Sequence, residues 1–164
     1  MSAAVWAADD IPFGVLQKDI PDVYDMARPP LSKSEFEALS QFRYQLRRFL
    51  RFSEQVTRQG GITPLQYLLL LHIKGFPGRA WATVGELAER LQAQHHGVVA
   101  LISRCEKLGW VSREQGKTDR REVEVHLTAK GERMVARMAQ LHRDELLNLE
   151  GNFLLPELHA LQQE

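Results

Sequence analysis

Apolar residues recur at helical spacing in five stretches of this chain and at strand spacing in two. Phe36, Leu39, Phe42, Leu46, Phe49, Leu50 and Val56 follow one another mostly at steps of three and four, which predicts a long amphipathic helix to about Arg58. Ser32 and Glu35 stand at capping-box spacing before it, and Gly60 and Gly61 close it. Thr63 and Pro64 read as a cap followed by proline at the first helical position. The residues Leu65, Leu68, Leu69, Leu70, Leu71 and Ile73 then predict a helix buried nearly all round, ended by Gly75, Phe76, Pro77 and Gly78.

From Thr83 to Thr128 the period changes twice. Thr83 and Glu86 repeat the capping-box spacing, and Val84, Leu87, Ala88 and Leu91 form the inward face of a short helix. Gln92, Ala93 and Gln94 make a turn. The next helix begins near His95 and turns Val98, Leu101, Ile102 and Cys105 inward until Gly109 stops it. Two short strands follow, joined by a polar tip between Arg113 and Arg120, with Val123, Val125 and Leu127 alternating as a half-buried strand. Thr128 to Gly131 starts a last long helix bearing Met134, Val135, Met138, Leu141, Leu146 and Leu149, with His142, Arg143, Asp144 and Glu145 read as a polar face. Gly151 and Asn152 interrupt it, and a short helix follows Pro156. The fold class is therefore mainly α with a small β-hairpin wing (α+β), built round a helix-turn-helix.

Residues 1–30 differ from the rest. Pro12, Pro21, Pro29 and Pro30 break regular helix, yet Val5, Trp6, Ile11, Phe13, Val15, Leu16, Ile20 and Tyr24 are too apolar for a free tail. This arm is expected to pack on the body or on a partner subunit, with room for a short helix within 15–26. Residues 31–164 then form a single domain: a winged helix-turn-helix at 62–128, between helical segments 31–60 and 129–164.

The chain's zero net charge hides a segregation. Residues 1–30 carry a net −3, residues 31–133 a net +6 and residues 134–164 a net −3. The middle can thus present positive surface to phosphates. Arg43, Arg47, Arg48, Arg51 and Arg58 on the first helix are read as a solvated face rather than as phosphate contacts. A single cysteine excludes an intramolecular disulfide framework and fits a reducing cytoplasm. No apolar run approaches the roughly 20 residues of a membrane span, and the N-terminus lacks the basic-then-apolar order of a secretory signal.

A helix lying in the major groove meets base edges with its N-terminal residues. Here the exposed positions are Gln94, His95, His96, Gly97, Val99 and Ala100. Gln suits adenine, His donates to guanine or phosphate, and Val99 suits a thymine methyl group. Gly97 and Ala100 permit close approach. None of the six is Lys or Arg, so the electrostatic share of binding falls to the wing, with Arg113 at its base and Lys117, Arg120 and Arg121 at its tip. An arginine at such a tip suits a narrow minor groove, and Asp119 is placed to orient a neighbouring arginine.

These residues resemble the MarR family of winged helix-turn-helix regulators from about Leu31 to Glu150. The resemblance is carried by ELAERL (86–91), LGWVSR (108–113) and DRREVEVHLTAKG (119–131), the last matching the family's wing pattern of Asp-x-Arg, a strand and Leu-Thr-x-x-Gly. It implies that Arg121 enters the minor groove and that Asp119 holds an arginine, either Arg104 or Arg113. It also implies a homodimer through the first and last helices, whose apolar stripes are longer than one small DNA-binding unit covers. A near-palindromic operator in double-stranded DNA follows, with half-sites about 34 Å apart. The family further implies a repressor released by a small, often phenolic, ligand between the dimerisation helices and the DNA-binding unit, where Phe42, Leu46, Tyr67, His72 and Trp81 are candidate neighbours. At Gln94, Gly97 and Ala100 the chain departs from the family's usual Ser, Thr and Arg.

Other classes find less support. A redox-responsive regulator needs an activated thiol, but Cys105 falls on an inward face. A zinc-responsive one needs ligand spacings that the six histidines lack, so no metal and no cofactor are expected. No nucleophile-base pair, Gly-rich phosphate loop or paired carboxylates point to an enzyme. A winged helix that binds protein rather than DNA is the remaining alternative.

Overall fold

A computed structural model describes residues 30–116 and 122–148 of the chain. In order they form α1 (Lys33–Gln59), α2 (Pro64–Lys74), β1 (Trp81–Thr83), α3 (Val84–Leu91), α4 (His95–Lys107), β2 (Val111–Gln115), β3 (Val123–Leu127) and α5 (Ala129–Asn148). The arm at 1–29, the wing tip at 117–121 and the segment 149–164 with its expected short helix lie outside the described residues.

The caps form where the sequence places them. Ser32 with Glu35, Thr63 with Gln66 and Thr83 with Glu86 each make a complete capping box. Each box satisfies amide groups that a first helical turn otherwise leaves orphaned. The turn between α3 and α4 closes through Gln92, which adopts the left-handed region at φ 49°. Gln92 N–H donates to the Glu89 carbonyl and Ala93 N–H to the Ala88 carbonyl, both at 3.0 Å.

The wing has a third strand. β1 pairs antiparallel with β3, Trp81 facing His126, so the sheet order is β1-β3-β2 rather than a bare hairpin. Three residues before a strong helix start are too few to show a period of two. Burial along β3 also departs from simple alternation: Val123 is 40% exposed, whereas Glu124 is buried beside Val125. Glu124 is tolerated there because its carboxylate meets His126 Nε2 at 3.0 Å.

The core gathers where α2, α3, α4, the sheet and α5 converge, around Leu69, Leu70, Ile73, Leu87, Ile102, Val125, Val135 and Met138. The helix α2 is not buried all round, since Leu65 and Leu68 remain exposed. Nor does the reading of 142–145 as a polar face hold at its first residue. Arg143 and Asp144 are exposed, but His142 is buried at 6% exposure. Its Nδ1 lies 2.7 Å from the Met138 carbonyl and so donates to it; its Nε2 lies 2.8 Å from Ser53 Oγ. The ring stacks on Tyr67 at 4.5 Å, with the edges of Phe49 and Phe52 beside it. One imidazole thereby joins α1, α2 and α5, and its hydrogen bonds satisfy what burial would otherwise penalise.

The same convergence explains the residues 127–131. Thr128 Oγ1 donates to the Gly109 carbonyl at 2.6 Å and accepts from Gly131 N–H at 3.1 Å. Thr128 N–H donates to the Trp110 carbonyl at 3.0 Å, and Lys130 Nζ to the Leu108 carbonyl at 2.8 Å. A Cβ at Gly131 would stand 1.9 Å from the Trp110 oxygen. The C-terminal end of α4 is thus fastened to the first turn of α5, and the approach is so close that only glycine fits.

Candidate nucleic-acid interface

The exposed face of α4 is built by what its other face must bury. Val98, Leu101, Ile102 and Cys105 point into the core. At ~100° per residue this turns the remaining N-terminal positions outward. Gln94, His95, His96, Gly97, Val99 and Ala100 are all exposed, as a groove-reading surface requires. Gln94 is the N-cap but makes no side-chain cap hydrogen bond, so its amide is left available. Gly97 has nothing within 4 Å of the position a Cβ would take, so its lack of a side chain reflects no packing demand within the described residues.

Arg113, assigned from the sequence to the base of the wing, is on β2 but reaches across to α4. Its guanidinium donates to the Val99 carbonyl at 3.1 Å and to Ser103 Oγ at 2.6 Å, and it pairs with Glu106 at 3.6 Å. These charge-assisted bonds fix the angle between the helix and the wing. Of the two arginines left open as partners of Asp119, Arg113 already has these contacts. Lys117, Asp119, Arg120 and Arg121 lie outside the described residues.

Between α4 and the wing runs a cleft of about 400 Å³ lined by Thr83, Val84, Gly85, His95, Val99, Arg113, Glu122 and Val123. Thr83, Val84, Gly85 and Glu122 escaped the sequence reading. The signal for the first three was the capping box itself, because a capped helix start aims backbone amides outward. Behind that box, Glu86 is also bonded by Arg79, whose guanidinium is sandwiched 4.4 Å from the Phe76 ring and 3.8 Å from the Trp81 ring. Burial acts to raise the Glu86 pKa, but the Thr83 amide and hydroxyl and the Arg79 cation outweigh it and hold the carboxyl below its ordinary range.

The five candidate pocket residues do not share one set of neighbours. Tyr67 is buried against His142, whereas Trp81 lies on the sheet against Arg79 and His126. Phe42 and Leu46 are half-buried on α1, and His72 is half-buried on α2. Burial, with the Arg90 charge second, pushes the His72 pKa below its ordinary value. None of the five lines the cleft beside α4, nor a second cleft bounded by Phe76, Glu86, Glu89, Arg90 and Gln92.

Cys105 is fully buried, and burial pushes its thiol up to about 11, with Arg104 opposing. A thiolate is therefore scarce at neutral pH. We expect a maleimide to leave the native chain unlabelled at pH 7 and to label it fully in denaturant; rapid native labelling with loss of DNA binding would restore a redox role. Among the described residues no group of three or more His, Cys, Asp or Glu is placed to hold a metal ion. No described helix is long and apolar enough to cross a membrane.

Residues 60–122 match the family model described as MarR family. A Thauera aromatica protein, named as a transcriptional regulatory protein for the hcr operon, is 30% identical over 98 residues. That match covers 60% of this chain and 57% of the relative, so the chain spans little more than half of that protein's length. Among solved structures, AbsC of Streptomyces coelicolor superposes with a TM-score of 0.63 at 22% identity, covering 82% of this chain and 94% of AbsC. Apo MarR of E. coli gives 0.60 at 22% identity, with the same two coverages. Both show the same helical body with a small antiparallel sheet.

Proposed function

We propose that this chain is a MarR-family DNA-binding transcriptional regulator and that it acts as a cytoplasmic homodimeric repressor released by a small aromatic ligand. The observation that carries the reading is the exposed set Gln94, His95, His96, Gly97, Val99 and Ala100 at the start of α4, held beside a wing strand by Arg113. These side chains stand at the N-terminal end of a helix, where a major-groove contact places its readers. The named role of the Thauera aromatica relative supports regulation of an operon.

Dimerisation is supported by the apolar surface left bare on the flanking helices. Leu39 and Leu50 on α1 and Leu141, Leu146 and Leu147 on α5 are all at least 39% exposed. A second copy would cover part of this surface and set two α4 helices against successive major grooves. The ligand is the least supported element.

The deciding experiment is fluorescence anisotropy of the full chain with its own upstream DNA over a series of salt concentrations. Affinity is expected to fall steeply with salt. Arg121→Ala is expected to weaken binding by about 1–3 kcal/mol, with Asp119→Ala comparable. Salt-insensitive or undetectable binding to every duplex would sink the reading and leave a protein-interaction module. Sedimentation tests the dimer, and release of bound DNA by phenolic acids tests the ligand.

A further inference from the structure

The first helix carries a basic strip that the DNA-binding reading does not use. At ~100° per residue, Phe36, Arg43, Tyr44, Arg47, Arg51 and Arg58 fall on the face of α1 opposite the buried Gln45, Phe49 and Phe52 side. All six are exposed, Phe36 at 57% and Tyr44 at 58%. Between Arg43 and Arg58 the sequence has five arginines and one acid, Glu54. None of these arginines has an ion pair among the described residues. The strip lies on a helix packed against α2 and α5, away from α4 and the wing.

We propose that the acidic N-terminal segment 1–29 of the same chain docks along this strip, turning back beside α1. The complement is specific in sign and in place. Residues 1–29 bear Asp9, Asp10, Asp19, Asp22 and Asp25 against Lys18 and Arg28. The described chain begins at residue 30, three residues before α1 starts. The arginines from Arg43 to Arg58 lie roughly 15–38 Å along the helix from Lys33, at about 1.5 Å per residue. A chain reaches at most about 3.3–3.6 Å per residue, so Asp25, Asp22 and Asp19 come within reach of Arg43, Arg51 and Arg58 in turn. The apolar partners match as well. Ile20 and Tyr24 alternate with those aspartates, and Phe36, Tyr44 and the arginine stems offer them cover.

The test is chymotryptic cleavage of the full chain within residues 1–29, read by mass spectrometry. The segment is expected to be protected at low salt and cleaved about tenfold faster in the triple variant Asp19→Lys, Asp22→Lys, Asp25→Lys. Adding Arg43→Asp, Arg47→Asp and Arg51→Asp to that variant should restore protection, with circular dichroism and DNA affinity unchanged throughout. A second measurement pairs Asp22→Cys with Arg47→Cys under oxidation; the buried Cys105 stays out of the reaction. A disulfide within one subunit is expected. Cleavage that ignores all these charges overturns the proposal. So does a disulfide between subunits, or a reversed strip that dissociates the dimer and leaves cleavage unaltered, since either assigns the strip to a second copy.

Discussion

Gly131→Ala is expected to cost about 3 kcal/mol or more, a penalty at the top of the usual overpacking range, and to lower the melting temperature by roughly 10 °C. The added methyl group would meet the Trp110 carbonyl at 1.9 Å, and that obstacle is backbone, not a side chain that can swing aside. The carbonyl is also held in place, because it accepts from Thr128 N–H. Relief requires α5 to move off α4, which breaks the Thr128 and Lys130 bonds to Gly109 and Leu108 together. Thermal unfolding followed by circular dichroism measures the effect. A variant that melts within about 2 °C of the parent, the shift expected for a loss of about 1 kcal/mol or less, would show that this junction yields.

The second large effect separates two neighbours on α4. Val98 is 1% exposed and Val99 is 38% exposed. Val98→Asp places a carboxylate among Leu101, Ile102 and other core residues with no cation to meet it. The expected loss is about 3–5 kcal/mol, the scale of an uncompensated buried charge, and a marginally stable chain would unfold. Val99→Asp leaves the charge in solvent, so the fold should persist. On the proposed interface it puts a negative charge into the groove of a polyanion, and DNA affinity should drop about a hundredfold. The pair is read by far-UV circular dichroism and anisotropy. If Val98→Asp keeps the native spectrum, the orientation of α4 is wrong; if Val99→Asp binds DNA as before, the assigned surface is wrong.

The sequence makes the helices legible because their starts are chemical, not merely statistical. Ser32 and Thr83 each bring a carboxylate three residues on and Thr63 precedes a proline, and the structure caps all three helices, with Gln66 completing the box at Thr63. The inward and outward faces of α4 could be read because Val98, Leu101, Ile102 and Cys105 keep strict spacing. Long-range pairings were not readable. Nothing local tells that His142 leaves its polar neighbours for Ser53, which stands 89 residues away. Arg113 looked like a phosphate contact because its charge is visible in sequence and its partners, Val99, Ser103 and Glu106, are not. The strand Trp81–Thr83 exists only because β3 offers it a ladder. Glu124 is buried for a comparable reason: His126, two residues on, faces the same side of the strand and receives it.

The fastening at Leu108, Gly109 and Trp110 makes α4 a lever. Its C-terminal end is bolted to α5, and its N-terminal end, which Arg113 ties to the wing, carries Gln94 about 20 Å away, at ~1.5 Å of rise per residue. A tilt of about 10° at the bolt therefore swings the N-terminal end by roughly 3.4 Å, which is one base-pair step of DNA. Anything that rocks α5 by that amount shifts the register at the groove by a whole letter, with no residue of α4 altered.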